Sequence, residues 1–133
     1  MFVLDASVAI AAILVEERTR EARAFMRAAL GGATVPSLWP IGVGNILLRA
    51  ERRGDIRPDE REAHVADLSA LALIVDHEGA ARAWRETTAL ALRHRLTLYD
   101  ATYLELAIRL RVPLATFDAA LARAAEAESV AAA

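Results

Sequence analysis

The chain has 133 residues, 56% of them hydrophobic and 26% charged, with a formal net charge of −2. This length predicts one domain over residues 1–133, and the lack of a basic leader or of an apolar run of about 18 residues predicts a cytoplasmic protein. The composition excludes disulfide bonds and thiolate metal sites because there is no cysteine, and it excludes lysine-based catalysis because all 16 basic residues are arginine.

Strand-like and helix-like segments alternate along the chain. Short apolar runs that end in an acid or a turn residue predict buried strands, and apolar residues spaced by three and four predict amphipathic helices. In the first part of the chain these patterns predict strands at 2–5, 33–37 and 71–76, and helices at 6–14, 16–30, 38–53 and 57–72. In the second part they predict a helix at 78–95, an extended piece at 96–99 followed by a helix to about 111, a strand at 113–118 and a helix at 119–128. A short final strand is predicted in the alanine-rich tail. Such alternation predicts an α/β fold in which helices cover both faces of a parallel sheet.

Three aspartates share one local setting. Asp5, Asp100 and Asp118 each follow an apolar run and precede a predicted helix. The carboxyl ends of parallel strands lie along one edge of an open sheet, so we expect these carboxylates to converge there. An aspartate in this setting can also simply cap the helix that follows, and for each one alone that alternative stays open. Converging carboxylates need a cation to offset their repulsion, and oxygen ligands without histidine or cysteine suit Mg²⁺ or Mn²⁺.

Two other chemistries of an acidic sheet edge fit the sequence poorly. A haloacid-dehalogenase-type phosphatase carries a second aspartate two residues after the first, where this chain has Ser7, and a phosphorelay receiver needs a lysine. The histidines, His64, His77 and His94, stand at no ligand spacing and are expected on the surface or packed. A divalent-metal nuclease requires neither the second aspartate nor the lysine.

Several other side chains have structural interpretations. Ser37 is expected to cap the helix after the second strand. Trp39 and Trp84 are expected in the core or in a dimer contact. Tyr103, three residues after Asp100, could line the same pocket, but packing is the favoured interpretation.

Three segments of the chain resemble the PIN domain of VapC-type toxins. They are MFVLDASVAIAAILVEE at 1–17, PSLWPIGVGNILLRAERRG at 36–54 and LTLYDATYLELAIRLRVPLATFDAAL at 96–121. The resemblance spans nearly the whole chain in the family's order. It implies a three-layer α/β/α sandwich with a mainly parallel sheet. It also implies a hydrolase that cleaves RNA with Mg²⁺ or Mn²⁺, as the endoribonuclease toxin of a type II toxin–antitoxin system. It also implies an RNA substrate, a homodimer, and a cognate antitoxin whose C-terminal segment blocks the acidic pocket.

The same resemblance assigns roles to individual positions. Asp5, Asp100 and Asp118 match acids that bind the metal and carry catalysis in the family. Thr116 matches a hydroxyl two residues before the last acid. Ser7 matches a small polar residue of the pocket.

One family position departs in this chain. The family's second acid is normally a glutamate in a stretch such as P-L-E-V-x-N, whereas this chain reads PIGVGN, so Gly42 stands in the glutamate's place and Asn45 is retained as a pocket residue. We expect weakened metal binding and an attenuated or inactive nuclease. Glu51 and Glu105, the nearest spare acids, are not expected to substitute.

One alternative function remains open, and a second glycine has its own interpretation. The chain could be a non-catalytic PIN-fold protein that still pairs with an antitoxin. Gly44, a second glycine in the same predicted helix, is expected to allow close helix packing, since a helical glycine otherwise costs about 1 kcal/mol relative to alanine.

Overall fold

A four-stranded parallel sheet forms the centre of the computed structural model, which describes residues 1–14 and 18–133. The strands are β1 (Val3–Leu4), β2 (Ala33–Pro36), β3 (Leu73–Asp76) and β4 (Leu114–Ala115), and their order across the sheet is β3-β2-β1-β4. On one side of β1 the sheet continues with β2 and then β3, whereas β4 pairs with the opposite side of β1. The junction between β1 and β4 is therefore the topological switch point, where α/β folds form their ligand crevices.

Seven α-helices accompany this sheet in the described part of the chain. They are α1 (Ala6–Leu14), α2 (Thr19–Ala29), α3 (Leu38–Arg52), α4 (Pro58–Ser69), α5 (Thr88–His94), α6 (Leu98–Leu110) and α7 (Ala119–Ala127). The α/β fold predicted from the alternating pattern is confirmed. The first two residues of the helix predicted at 16–30 lie outside the described residues, and the predicted final strand is reduced to one bridge between Leu114 and Ala132.

The helix predicted at 78–95 is divided into three parts. A 3₁₀ turn at Gly79–Arg82 and a π turn at Ala83–Thr87 come before α5. The Asp76 carboxylate accepts a hydrogen bond from the Gly79 amide at 3.0 Å, which fixes a turn directly after β3. The Thr88 hydroxyl donates to the Ala83 carbonyl at 2.7 Å and so supports the wide π turn.

No strand leads directly into Asp100 in the described structure, so this residue does not stand at a strand-to-helix junction, and the extended piece predicted at 96–99 ends before Leu98. Instead, α6 begins at Leu98, and the Thr97 hydroxyl accepts a hydrogen bond from the Asp100 amide at 3.1 Å. Thr97 thus caps the helix, and Asp100 belongs to its first turn.

The predicted capping role of Ser37 is also wrong. Ser37 precedes α3, but its backbone is already helical, with φ −62° and ψ −20°, and its hydroxyl makes no capping hydrogen bond. A side-chain cap normally requires an extended backbone at that residue, as Thr97 has.

The core separates the two tryptophans. Trp39 is buried with Val35, Val43 and Leu47, as expected, whereas Trp84 is 91% exposed and is not a core residue.

A Cβ placed on Gly44 would meet no atom within 4 Å, so the expected close helix packing at Gly44 is wrong. No described helix is both long and apolar enough to cross a bilayer.

A cluster of ion pairs fixes α6 against the end of β3. The guanidinium of Arg109 forms two hydrogen bonds with the Asp76 carboxylate, at 2.8 and 2.9 Å, and one with Glu105 at 2.8 Å. The hydrogen bond from Arg109 lowers the pKa of Asp76. Because the Arg109 side chain is only 14% exposed, this bidentate pair has little competition from water.

We expect Thr97→Ala to lower the free energy of unfolding by about 1 kcal/mol, because it removes the cap of α6. Ser37→Ala is the matched control and should leave stability nearly unchanged, since the Ser37 hydroxyl makes no capping bond. Urea unfolding of both variants measures the difference. Equal losses would contradict this assignment of the caps.

We expect Arg109→Met to cost about 3 kcal/mol of stability, because it leaves two largely buried carboxylates without their main partner. Arg57→Met is the control: Arg57 pairs with Asp59 in the open, where both side chains are more than 70% exposed, so stability should hardly change. Thermal and urea unfolding measure both. A loss of similar size for the two variants would show that the buried ion pairs of Arg109 stabilise the fold no more than an exposed pair does.

Candidate acidic site at the sheet edge

The carboxylate of Asp5 lies at the switch point between β1 and β4. Asp5 follows β1 directly and is 5% exposed. Its Oδ2 atom accepts hydrogen bonds from the Ser7 hydroxyl at 2.5 Å and from the Thr116 hydroxyl at 2.7 Å. Two hydroxyls from opposite ends of the chain therefore fix one buried carboxylate, as the convergence of strand ends predicts.

The same two hydroxyls order the segment after β4. The Ser7 oxygen accepts from the Phe117 amide, and the Thr116 oxygen accepts from the Asp118 amide, both at 3.0 Å. Each hydroxyl thus donates its single proton to Asp5 and accepts from the backbone. The 3.4 Å contact between the two hydroxyl oxygens has no further proton to share.

Asp118 has the capping role that its position allows. Its Oδ1 atom accepts from the Leu121 amide at 2.8 Å and caps α7. A carboxylate has two oxygens, so Oδ2 can still face a ligand. The capping interpretation is correct here without excluding the functional one.

Asp100 connects the other two acids electrostatically. Burial raises the pKa of Asp100, and the negative charge of Asp118 raises it further. Burial likewise raises the pKa of Asp5 and the charge of Asp100 adds to this, although the hydrogen bonds from Ser7 and Thr116 oppose the rise. The charge of Asp100 thus acts on Asp5, and the charge of Asp118 acts on Asp100.

The chemistry of these donors fits a hard divalent cation. All three side chains offer carboxylate oxygens, and their mutual repulsion favours a positive charge between them. Within residues 1–14 and 18–133, however, no three acidic or histidine side chains are close enough to form a preformed metal cluster. The donor type suits Mg²⁺ or Mn²⁺, while the ligand shell is incomplete without further donors or a shift of the side chains.

Tyr103 combines packing with a place beside the acids. The residue is 3% exposed, and its hydroxyl makes no hydrogen bond with the described residues. Burial raises the pKa of Tyr103, and the charges of Asp5 and then Asp100 raise it further, which locates the hydroxyl near both carboxylates. The spacing of three residues from Asp100 on one helix was the sequence signal for this neighbourhood.

Arg18 brings a positive charge to the same edge, which the sequence analysis did not anticipate. Its guanidinium lies over the Phe117 ring, 4.0 Å from the ring centroid, and also pairs with Glu21 at 3.2 Å. The contact joins residues 99 positions apart, and no local pattern signals it.

The remaining positions lie on α3. Gly42 is partly exposed, and a Cβ placed on it would meet no atom within 4 Å. Asn45 is exposed and lines a groove with Gly44, Leu48 and Arg61, so its place at the acidic pocket stays a prediction.

The two acids nearest in sequence to the predicted site, Glu51 and Glu105, are both engaged in ion pairs, and their lack of a role at the site stays a prediction. The Glu51 carboxylate pairs with Arg61 at 2.8 Å. Glu105 is buried and pairs with Arg109 at 2.8 Å.

The raised pKa values of Asp5 and Asp100 predict how stability depends on pH. The folded protein holds these protons to a higher pH than the unfolded chain, so the metal-free protein should lose stability as pH rises above about 4. Asp5→Asn removes one contribution and should make urea-unfolding stability fall less steeply up to neutral pH. Asp59→Asn is the control. The hydrogen bond from Arg57 lowers the pKa of Asp59, so the titration of Asp59 changes the stability only at lower pH. Parallel curves for the wild type and Asp5→Asn would contradict the prediction.

Comparison with known proteins gives concordant results. The sequence profile of the PIN domain matches residues 2–127. Ribonuclease VapC3 of Pyrobaculum aerophilum is 33% identical over 120 residues, which cover 90% of this chain and 91% of that protein. The crystal structure of PAE2754 from Pyrobaculum aerophilum shares the fold, with a TM-score of 0.69 and 22% identity over 92% of this chain and 78% of that one.

Proposed function

Because this chain belongs to the VapC-type PIN-domain family of toxin–antitoxin ribonucleases, we propose that it is a divalent-metal-dependent endoribonuclease with its activity attenuated at Gly42. The observation that carries the proposal is the buried Asp5 carboxylate at the switch point of the sheet, which the hydroxyls of Ser7 and Thr116 hold beside the segment that leads to Asp118. The proposal takes RNA as the substrate, because the similar protein VapC3 is named a ribonuclease.

In this proposal the three aspartates hold Mg²⁺ or Mn²⁺ and are the catalytic residues. Such an ion, when bound, supplies a Lewis acid for the scissile phosphate and a hydrolytic water of lowered pKa. The chain's own part is to hold the carboxylates in place. Ser7 and Thr116 orient Asp5, and the capping bond to Leu121 orients Asp118.

Attenuation follows from the glycine on α3. At this position the family carries a carboxylate, and without it the cation loses either a ligand or a group that orients water. The lack of a preformed three-ligand cluster among the described residues supports weak metal binding. The same two observations favour a second candidate function, a non-catalytic protein that keeps the fold and binds an antitoxin.

The proposed partners are a cognate antitoxin and a second copy of the chain. The support for a protein contact is the exposure of Trp84, a large apolar side chain that is 91% exposed. Trp84 is available for a dimer or antitoxin contact, since it takes no part in the core.

We expect Gly42→Glu to raise Mn²⁺-dependent RNA cleavage by at least roughly tenfold, because it restores a carboxylate near the proposed ion. Gly44→Glu is the matched control: it lies on the same helix, and its Cβ also meets no atom within 4 Å, but it points about 200° around the helix from residue 42. Both variants should gain up to about 1 kcal/mol of helix stability. Cleavage of a fluorescent RNA and urea unfolding measure the two effects.

The outcomes separate the two candidate functions. Cleavage that rises in Gly42→Glu alone, and disappears again in the double variant with Asp100→Asn, supports the attenuated nuclease. If both glutamate variants stay equally inactive and fail to bind Mn²⁺, the nuclease proposal is overturned in favour of the non-catalytic protein.

A further inference from the structure

We propose that the hydroxyl of Tyr103 is a positioning group of the acidic site, which donates a hydrogen bond to the Asp5 carboxylate when a divalent cation is bound. The inference rests on the proposed metal site and adds a third hydroxyl to the two that already hold Asp5. In this role Tyr103 acts through Asp5 and does not itself contact the reacting phosphate.

The burial of an unsatisfied hydroxyl is the first observation behind this assignment. Tyr103 is 3% exposed, and its hydroxyl proton has no acceptor among the described residues, although the Ala6 amide lies close enough to oppose the rise of its pKa. A buried polar group without a partner costs free energy comparable to a lost hydrogen bond. A phenylalanine ring would fill the same space without that cost, so the hydroxyl needs a partner that arrives with a ligand or with a changed side-chain position.

The surroundings identify that partner. Tyr103 lies on α6 one turn after Asp100, and α6 packs against β1, the strand that Asp5 directly follows. The charges of both aspartates act on its hydroxyl. The Oδ2 atom of Asp5 already accepts two hydrogen bonds, from Ser7 and from Thr116. A further donor therefore serves the other oxygen, Oδ1, and does so most strongly once a cation keeps the carboxylate ionised.

The chain offers a matched pair of variants, because it contains only two tyrosines. Tyr103→Phe removes the buried hydroxyl. Tyr99→Phe removes the same group from the same helix, one residue before Asp100, where the side chain is 73% exposed. The measurements on the full-length chain are Mn²⁺ affinity, by electron paramagnetic resonance of free Mn²⁺, the metal-free melting temperature, and the near-ultraviolet difference spectrum of tyrosine on Mn²⁺ addition.

We expect Tyr103→Phe to weaken Mn²⁺ binding by roughly tenfold, as for other groups that orient metal ligands. Its metal-free melting temperature should stay the same or rise, because the hydroxyl proton has no acceptor in that state. The tyrosine difference signal should be present in the wild type and in Tyr99→Phe and absent in Tyr103→Phe. A residue that only packs would shift the melting temperature without a selective effect on the ion.

Each contrary outcome has a distinct meaning. Equal Mn²⁺ affinity in Tyr103→Phe and the wild type overturns the role of Tyr103 and leaves the metal site standing. A loss of affinity accompanied by an equal loss of metal-free stability makes Tyr103 a packing residue and also overturns it. Absence of Mn²⁺ binding in the wild type and both variants overturns the proposed metal site itself, and this role with it.

Discussion

A buried carboxylate at the junction of β1 and β4 is the constraint on which the acidic site depends. Asp5 is held there by hydroxyls on both sides of the junction, one of them 111 residues away in sequence. Burial and the neighbouring Asp100 both make its ionised form unfavourable. The ionised carboxylate therefore carries an electrostatic cost, which explains why hydrogen-bond donors are concentrated around this one residue.

The proposed attenuation at Gly42 has two opposite consequences for the metal-free fold. With no carboxylate at this position, the three aspartates are spared the repulsion of a fourth acid. A glycine inside α3, however, costs about 1 kcal/mol of helix stability relative to alanine. Under the proposal, the effect of position 42 on cation binding is therefore separate from its effect on stability.

Much of this arrangement could be predicted from the sequence, because strand and helix patterns alternate clearly and parallel strands share an edge. That reasoning placed Asp5 and Asp118 correctly. It failed at Asp100, because the apolar residues before it look like a strand, whereas Thr97 caps a helix there. The open hydroxyl of Tyr103 could not be foreseen, since only the packed structure shows whether a buried polar atom has a partner. The same holds for contacts between distant segments, which have no local pattern.

The starting points of three helices have a consequence for the metal-free state. Asp5 immediately precedes α1, Asp100 lies in the first turn of α6, and Asp118 caps α7. Each helix start carries a partial positive charge of about half an elementary unit from its aligned peptide dipoles. The backbone thus supplies its own counter-charge at this edge, permanently and without any ion, and the chain can fold before it meets a cation.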